Sequence, residues 1–364
     1  MTVSYVSKIA TSNSFRVFKL LLTWKGSIYK TIRIELFIYI VLNALISLLH
    51  YFLTGYYRLI FESFCSFCAK GTGFIPVGLV LGFYVTLVVQ RWTDQFVTLP
   101  WPDSLAVYVN TFILGAGDTP RLIRRSIMRY VIVSQILCYS SISSKAKRVF
   151  STNQTLVEQG LLTTEELSRL EKFETTSNKH FVPIAWAQEL VVKAQKEKYL
   201  MDNKRVWLLA NELNEFRDRL RILFAYDWIN PPLIYTQIAI ITMYSYFIFS
   251  IFGKQFIIHG TSQSAHGMNL YVPVFGALEF INYMGWLKVA QCLINPFGDD
   301  EDDFEMDQII LRNFEYSFIT VDQWHQQCPP LQQDMYYLQK NARLIDSCNR
   351  FIGGSIGKAN KINV

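Results

Sequence analysis

The residues best suited to chemistry in this sequence form an acidic run directly after an apolar segment. Seven carboxylates lie within nine residues, although the whole chain carries a net charge of +6. They are Asp299, Asp300, Glu301, Asp302, Asp303, Glu305 and Asp307. Carboxylates and carbonyl groups are the oxygen ligands that Ca²⁺ prefers, about six to eight of them per ion. A bare run of acids is more often a solvated segment, so the surroundings of the run decide between the two interpretations.

The chain just before the acidic run favours a metal site. The apolar segment reaches the acids through Asn295 and Pro296, and a helix is expected to end before a proline and to leave carbonyl groups unpaired. Asp300 and Asp303 are three residues apart and can share one face. The run lacks the alternating acids and the central glycine of an EF-hand loop. Any calcium site here is therefore of another kind.

No other set of residues indicates an active site. The five histidines are scattered, and the sequence shows no nucleophile–base set, no metal-binding histidine pair and no phosphate-binding loop. Cys65 and Cys68 form a CxxC motif, but no second CxxC motif or histidine pair completes a zinc site. We therefore expect unpaired thiols, no enzymatic activity and no nucleic-acid partner.

The elements that must position the acidic run are predicted to be transmembrane helices. Hydrophobic residues make up 51% of the chain and charged residues 18%, whereas about a quarter is usual for the charged share. A helix of about 20 apolar residues crosses the hydrocarbon core of a bilayer. Four runs reach that length, at residues 36–57, 71–90, 228–253 and 270–294. The first run has neither the short basic segment before it nor the small-residue cleavage site of a secretory signal peptide, so we expect four true spans.

The fourth run is the least uniform because it contains Glu279 and Lys288. These residues are nine positions apart, so they lie on roughly opposite sides of a helix and cannot pair with each other. Exposure of either charge to lipid would cost several kcal/mol (on the order of 3). Each is therefore expected to face protein or water.

Basic residues predict the orientation of the spans, because cytoplasmic loops of membrane proteins are enriched in Lys and Arg. Residues 1–34 carry six basic residues and no acid, whereas the connections at residues 58–70 and 254–269 carry two and one. We predict a cytoplasmic N-terminal segment over residues 1–35 and a cytoplasmic C-terminus. The long segment of residues 91–227 is then cytoplasmic too.

The cytoplasmic segment is predicted to be helical. Tyr130–Ser144 is uncharged but short, which indicates a buried helix of a soluble region, and Thr163 and Glu166 have the spacing of a capping box. Few strand signals occur anywhere, so the fold class is all-α. Four arginines recur on one helical face: Arg121, Arg124, Arg125 and Arg129. A solvated or salt-bridged face is the favoured interpretation, and a basic rim near lipid headgroups or an ion path is the alternative.

The second apolar run has two contrasting faces. Ile75, Leu79 and Phe83 recur at intervals of four residues and form an apolar face, while Gly78 and Gly82 allow another helix to approach closely. An ordinary packed span is the simpler interpretation. The alternative is a ring of such helices whose apolar faces line a narrow neck, since a hydrophobic constriction can gate ions by dewetting.

Several motifs in the same order make the sequence resemble the bestrophin family of calcium-activated anion channels. They are MTVSY at residue 1, GSIYK at 26, GFYVTLVVQRW at 82, LPWPD at 99, AYDWI at 225, YTQ at 235, GWLKVA at 285 and INPFGDDEDDFE at 294. The resemblance covers residues 1 to about 337. Residues 338–364 form a divergent C-terminal tail, and residues 295–337 are assigned to the acidic segment and the cytoplasmic chain that follows it.

The resemblance implies a homopentamer in the lipid bilayer of the plasma membrane, with one central pore for chloride and other small anions. It places Ile75, Leu79 and Phe83 in the neck of the pore, where vertebrate members carry phenylalanine at the position of Leu79. It also places Lys204 at a second, cytoplasmic constriction, where relatives carry an aliphatic residue. Five lysines there would favour anions, whereas a lysine directed into solvent would have no such effect.

The resemblance also implies a calcium site at the acidic run. Its carboxylates map to Asp300 and Asp303, and its backbone carbonyls map to Cys292, Asn295 and, from a neighbouring subunit, Ala10. The remaining acids are expected to lower the free energy of the cation without touching it. Bound Ca²⁺ is expected to tie the fourth span to the next subunit and to favour a wider neck. A non-conducting membrane regulator or scaffold, acting on another channel or assembling with a paralogue, is the alternative function.

Overall fold

The structure is a computed structural model that describes residues 20–175, 178–255, 274–333 and 337. These described residues form helices and connections and contain no strand, which confirms the predicted all-α class for this part of the chain. The helices of the first half are α1 Ile28–Phe52, α2 Gly55–Thr72, α3 Val77–Thr98, α4 Asp103–Phe112, α5 Asp118–Ile142, α6 Ser144–Val149 and α7 Asn153–Glu158. Those of the second half are α8 Thr164–Lys172, α9 Phe181–Lys196, α10 Asn203–Trp228, α11 Leu233–Gly253, α12 Val274–Leu293 and α13 Met306–Phe318, followed by a π-helical turn at Ile319–Gln323.

The chain divides into two compact units, residues 1–322 and residues 323–364. All of the helices α1 to α13 belong to the first unit. In the described residues of the second unit, the N–H of Gln327 donates to the carbonyl of Trp324 at 3.2 Å, and Gln326 has a positive φ of 60°. This unit therefore begins with a tight turn.

Two described helices, α1 and α11, are long and apolar enough to cross a membrane. Helix α2 and the stretch Val77–Phe112, which contains α3 and α4, pass the same test together as a pair bent by 45°. The described residues thus contain two candidate spans, or three if the bent pair is one span. The fourth predicted run corresponds to α12, which is not among them, and residues 270–273 of that run lie outside the described residues.

The first predicted span and the connection after it differ from the structure. α1 ends at Phe52 rather than at residue 57, and Gly55 turns the chain with a φ of +59°. Residues 58–70, predicted as a connection, continue as helix α2 because both its charges and its apolar face find partners. Arg58 donates to Glu62 at 2.9 Å, and Cys65 is 1% exposed.

The helix α2 packs closely against α11. A Cβ atom added at Gly253 would lie 2.8 Å from the backbone of Ala69, so only a glycine allows the two helices to approach this far. The charges of the fourth predicted run also find protein partners. Lys288 lies 2.6 Å from Glu35 of α1, and Glu279 pairs with Lys254 and accepts a hydrogen bond from a tyrosine hydroxyl on α11. The expectation that these charges face protein is confirmed.

Two cores stabilise the first unit. The smaller core joins the predicted spans: Val77, Leu81, Tyr84 and Val88 of α3 pack against apolar residues of α1, α11 and α12. The larger core is centred on α5, which packs against α9 and α10. The predicted buried helix at residues 130–144 is the second half of α5, where Val131 to Val133 are fully buried.

The arginines of α5 form ion pairs, as the favoured interpretation predicts. Arg121 lies 2.5 Å from Asp322, and Arg125 pairs with the same carboxylate. Arg129 pairs with Glu166 at 2.6 Å. The fourth member, Arg124, is buried instead, and its guanidinium donates to three backbone carbonyls, of Ile113, Gly115 and Val321.

The predicted capping box is confirmed at the start of α8. The N–H of Glu166 donates to the Thr163 hydroxyl at 3.2 Å, and the N–H of Thr163 donates to the Glu166 carboxylate at 2.8 Å. The same carboxylate accepts hydrogen bonds from Arg129 and Tyr130 of α5. This one side chain therefore both begins α8 and fastens it to the larger core.

Candidate functional site

The acidic run forms a loop, residues 294–305, between α12 and α13, which we call the acidic loop. The last regular bond of α12 runs from the N–H of Ile294 to the carbonyl of Ala290 at 3.1 Å. The carbonyl of Cys292 has no such helical partner, because residue 296, four positions later, is a proline without an N–H. The loop closes where the N–H of Phe304 donates to the carbonyl of Pro296 at 2.8 Å.

The structure brings Asp300 and Asp303 together. The N–H of Asp300 donates to the Asp303 carboxylate at 2.7 Å, and the N–H of Asp303 donates to the Asp300 carbonyl at 3.2 Å. Asp303 is only 3% exposed. Burial raises the pKa of Asp303 to about 6, with the neighbouring charge of Asp300 acting in the same direction and the hydrogen bond from the Asp300 N–H opposing it. A buried carboxylate of this kind is stabilised in its ionised form by a nearby cation.

The Asp303 carboxylate approaches the backbone closely at Gly298. A Cβ atom added there would lie 2.8 Å from Oδ2 of Asp303 and 3.7 Å from the carbonyl oxygen of Asn295. A carboxylate oxygen and a backbone carbonyl oxygen thus lie near the same glycine, and the carbonyl of Cys292 lies three residues before Asn295 in the chain. These are hard oxygen donors, so the residues present fit the ligand preference of Ca²⁺.

Side chains alone do not complete a metal site in the described part of the chain, where no group of three or more His, Cys, Asp and Glu residues is placed to hold an ion. The acidic loop offers the side chains of Asp300 and Asp303 and the carbonyl of Asn295, and the end of α12 offers the carbonyl of Cys292. The fifth predicted ligand, Ala10, lies outside the described residues. A cation here would depend on backbone carbonyls, which no residue-type pattern reveals.

Two of the remaining acids are ion-paired, which the sequence analysis did not predict. Asp299 lies 2.6 Å from Arg148 of α6, and Glu301 lies 2.6 Å from Lys30 of α1. Glu301 also accepts from the N–H of Gly26 at 2.9 Å. These hydrogen bonds lower the pKa of both carboxyls. Paired carboxylates contribute less field to a nearby cation, and their role is to fasten the loop to α1 and α6.

The face of α3 predicted to line a neck is open in the single chain. Leu79 is 62% exposed and Phe83 is 71% exposed, whereas the opposite face of α3 is buried in the smaller core. A Cβ atom added at Gly78 or Gly82 would meet nothing within 4 Å. This face therefore has no packing partner within the described part of one chain.

Ile75 is separated from that helical face. α3 begins at Val77 with Pro76 as its N-cap, so Ile75 precedes the helix and packs, partly buried, against the smaller core. The sequence pattern extended the helix through Pro76, but the chain bends at this point. Lys204 lies in the first turn of α10 and is exposed; its backbone N–H donates to the Asp202 cap at 3.0 Å.

The sequence analysis missed an aromatic cluster that joins the acidic loop to α3. The ring of Phe304 lies 5.3 Å from that of Trp92, 5.8 Å from that of Phe96 and 5.7 Å from that of Phe297, measured between centroids. Trp92 and Phe96 are one helical turn apart, and Phe297 and Phe304 flank the acids on either side. These aromatic spacings could have indicated that each segment makes an aromatic contact. They do not indicate which helix contacts the loop.

Known proteins resemble this chain over most of its length. A family model described as "Bestrophin, RFP-TM, chloride channel" matches residues 1–323. Human bestrophin-3 is 40% identical over 344 residues, which are 94% of this chain and 52% of that protein. Mouse bestrophin-2 is also 40% identical over 344 residues, which are 94% of this chain and 68% of that protein. This chain thus spans about half the length of human bestrophin-3.

Solved structures share the fold at lower identity. A crystal structure of a bacterial bestrophin homologue from Klebsiella pneumoniae superposes with a TM-score of 0.56 at 17% identity, covering 78% of this chain and 98% of that chain. The family match covers most of the sequence, including α3 and the acidic loop. On these grounds, the chain belongs to the bestrophin family.

Proposed function

We propose that this chain forms a calcium-activated anion channel of the plasma membrane, assembled as a homopentamer around one central pore. Membership of a family described as a chloride channel supports an ion channel rather than an enzyme. The observation that carries the calcium part of the proposal is the acidic loop, where Oδ2 of the buried Asp303 and the carbonyl of Asn295 both lie close to Gly298.

The residues that would hold Ca²⁺ are Asp300 and Asp303, through their carboxylates, and Cys292 and Asn295, through their carbonyls. Ala10 of a neighbouring subunit stays part of this proposal. When bound, Ca²⁺ would supply positive charge that offsets the repulsion between the two aspartates and the cost of burying Asp303. Ion pairs already join the loop to α1 through Glu301 and to α6 through Asp299. A change in the position of the loop would therefore act on both helices.

The open face of α3 supports the pore part of the proposal. Five copies of Leu79 and Phe83 around an axis would form a hydrophobic constriction, which excludes water and ions when it is narrow. Gly78 and Gly82 would allow neighbouring helices to approach closely. The exposure of Lys204 is compatible with a cationic ring at a second constriction, and anion selectivity would follow from that ring.

A calcium-titrated recording from excised patches, with chloride replaced by larger anions, tests the proposal. We expect an anion current that rises with calcium, and Asp303→Asn is expected to shift the response to higher calcium. Glu171→Gln, which neutralises an exposed acid of α8, is the matched control and should leave the response unchanged. Protein that reaches the cell surface but carries no anion current at any calcium concentration would favour the non-conducting regulator instead.

A further inference from the structure

The contact between the acidic loop and α3 lies next to the proposed calcium site. Phe304 follows Asp303 directly in the sequence, and it is only 6% exposed. Its ring lies between those of Trp92 and Phe96 on α3 and that of Phe297 on the loop. Aromatic pairs at centroid distances of about 5 to 6 Å stabilise a contact beyond the effect of the apolar area that they bury.

The backbone fixes this ring to the acidic loop. The N–H of Phe304 donates to the Pro296 carbonyl at 2.8 Å, and the N–H of Asp303 donates to the Asp300 carbonyl at 3.2 Å. The ring and the two aspartates therefore belong to one closed loop and move together. No flexible segment separates the acids from the aromatic contact.

The contact lies on the side of α3 opposite the proposed neck. Trp92 follows Phe83 by nine residues, which at about 100° per residue places the two side chains half a turn apart around the helix. The same nine residues separate them by about 14 Å along the axis. If Leu79 and Phe83 face a central axis, Trp92 faces away from it, and Phe304 contacts the outer side of the helix.

The helix between the two positions is suited to carry a displacement. α3 runs without a break from Val77 to Thr98, and the residues from Phe83 to Trp92 include neither proline nor glycine. Sharp kinks in helices arise mostly at such residues. A shift of Phe304 away from the axis would therefore carry α3 with it as a rigid body and widen the ring of Leu79 side chains.

We propose that Phe304 is the positioning residue that couples the acidic loop to the neck, through its contact with Trp92 and Phe96 on the outer side of α3. This inference rests on the proposed function, because it requires a calcium response at the loop and a gate at the neck. It adds a specific route between them. A merely structural Phe304 would change stability or calcium binding without separating calcium binding from opening.

The test compares calcium binding and opening in Phe304→Leu, which keeps an apolar side chain and removes the ring. Calorimetry on the purified channel measures the calcium affinity, and single-channel recording measures the open probability at saturating calcium. We expect calcium still to bind, with an affinity lowered by the reciprocal loss of coupling, and an open probability at saturating calcium lower by at least about fivefold. The matched control is Phe314→Leu on α13, where the Phe314 ring lies 4.6 Å from that of Phe318 between centroids; both quantities should stay at their wild-type values.

Electron cryo-microscopy with and without calcium gives a second readout, the distance across the neck between Leu79 side chains. We expect the wild-type neck to widen with calcium and the Phe304→Leu neck to stay narrow. A variant that widens and opens like the wild type would overturn the coupling alone. If neither the neck nor the current of a folded wild-type channel responded to calcium, the proposed function would be overturned, and the coupling with it. The two failures are therefore distinguishable.

Discussion

The Lys30 ammonium lies 2.6 Å from a carboxylate oxygen of Glu301, and this ion pair joins the start of α1 to the acidic loop. Both side chains are partly exposed, at 42% and 37%. Pairs of this kind contribute little to stability, because water screens both charges. The acidic loop thus contains two kinds of acid: Asp303, which is buried and lies against Gly298, and Glu301, which forms an ion pair at the surface.

Neutralising the two acids should therefore have different effects. Glu301→Gln is expected to shift the calcium concentration for half-maximal current by less than about fivefold, because only a surface ion pair is lost. Asp303→Asn should shift it by more than about tenfold, since the charge of a proposed ligand is removed. Calcium titration of the two variants in the same patches checks this, and equal shifts would show that the two acids act alike. In a double-mutant cycle with Lys30→Gln, the loss in Glu301→Gln should disappear.

Gly298→Ala should disable the acidic loop without changing any charge. The added Cβ atom would lie 2.8 Å from Oδ2 of Asp303, so the carboxylate or the loop must move. We expect the calcium affinity, measured by calorimetry, to fall by at least about tenfold, or about 1.4 kcal/mol. Gly71→Ala on α2, where an added Cβ atom meets nothing within 4 Å, is the matched control. Wild-type calcium affinity in Gly298→Ala would contradict the proposed site.

Leu79→Ala should weaken the proposed hydrophobic gate. A smaller, less apolar ring dewets less readily, so we expect an anion current that persists when calcium is removed. Leu81→Ala is the control: Leu81 is 5% exposed on the opposite face of α3. Truncation of Leu81 should instead lower the free energy of unfolding by about 2 to 5 kcal/mol. It should not cause an anion current in the absence of calcium. If Leu79→Ala carried no more current without calcium than the wild type does, Leu79 would not line the gate.

Glu166 should make stability depend on acid pH. Burial alone would raise its pKa, but the hydrogen bonds from Arg129, Tyr130 and the N–H of Thr163 outweigh burial and lower the pKa to about 2 from a model-compound value of 4.5. Its contribution is therefore fully present above pH 4.5 and is lost as the pH falls toward 2.

Thermal unfolding of the purified protein between about pH 3 and pH 7 measures this contribution. Glu166→Gln is expected to lower the free energy of unfolding at neutral pH by about 2 kcal/mol and to flatten the acid limb of the pH profile. Glu165→Gln, in the same turn of α8 but 75% exposed at its side chain, should change little. If the acid limb of the pH profile were unchanged in Glu166→Gln, other carboxyls would dominate the loss of stability at acid pH.

Local sequence patterns predicted the helices well where one face had a clear period or a clear cap. The capping box at Thr163 and the buried helix that follows Tyr130 depend on residues a few positions apart, and both are confirmed. The arginines of α5 share a face by their spacing, but their partners Asp322 and Glu166 are distant in the chain. Helix α2 was missed because its charges look like those of a connection. Its stability comes from Glu62 binding Arg58 and from close packing at Gly253, and the second of these is a long-range contact.

At the acidic loop, the sequence alone established the excess of carboxylates, the helix end before Pro296 and the match to a motif of the bestrophin family. It could not distinguish a tethering acid from a buried one, since Asp299 and Glu301 find Arg148 and Lys30 far away in the chain. Only the tertiary structure decided that Phe304 meets Trp92, because contacts across 212 positions of sequence depend on how helices pack and not on any local period.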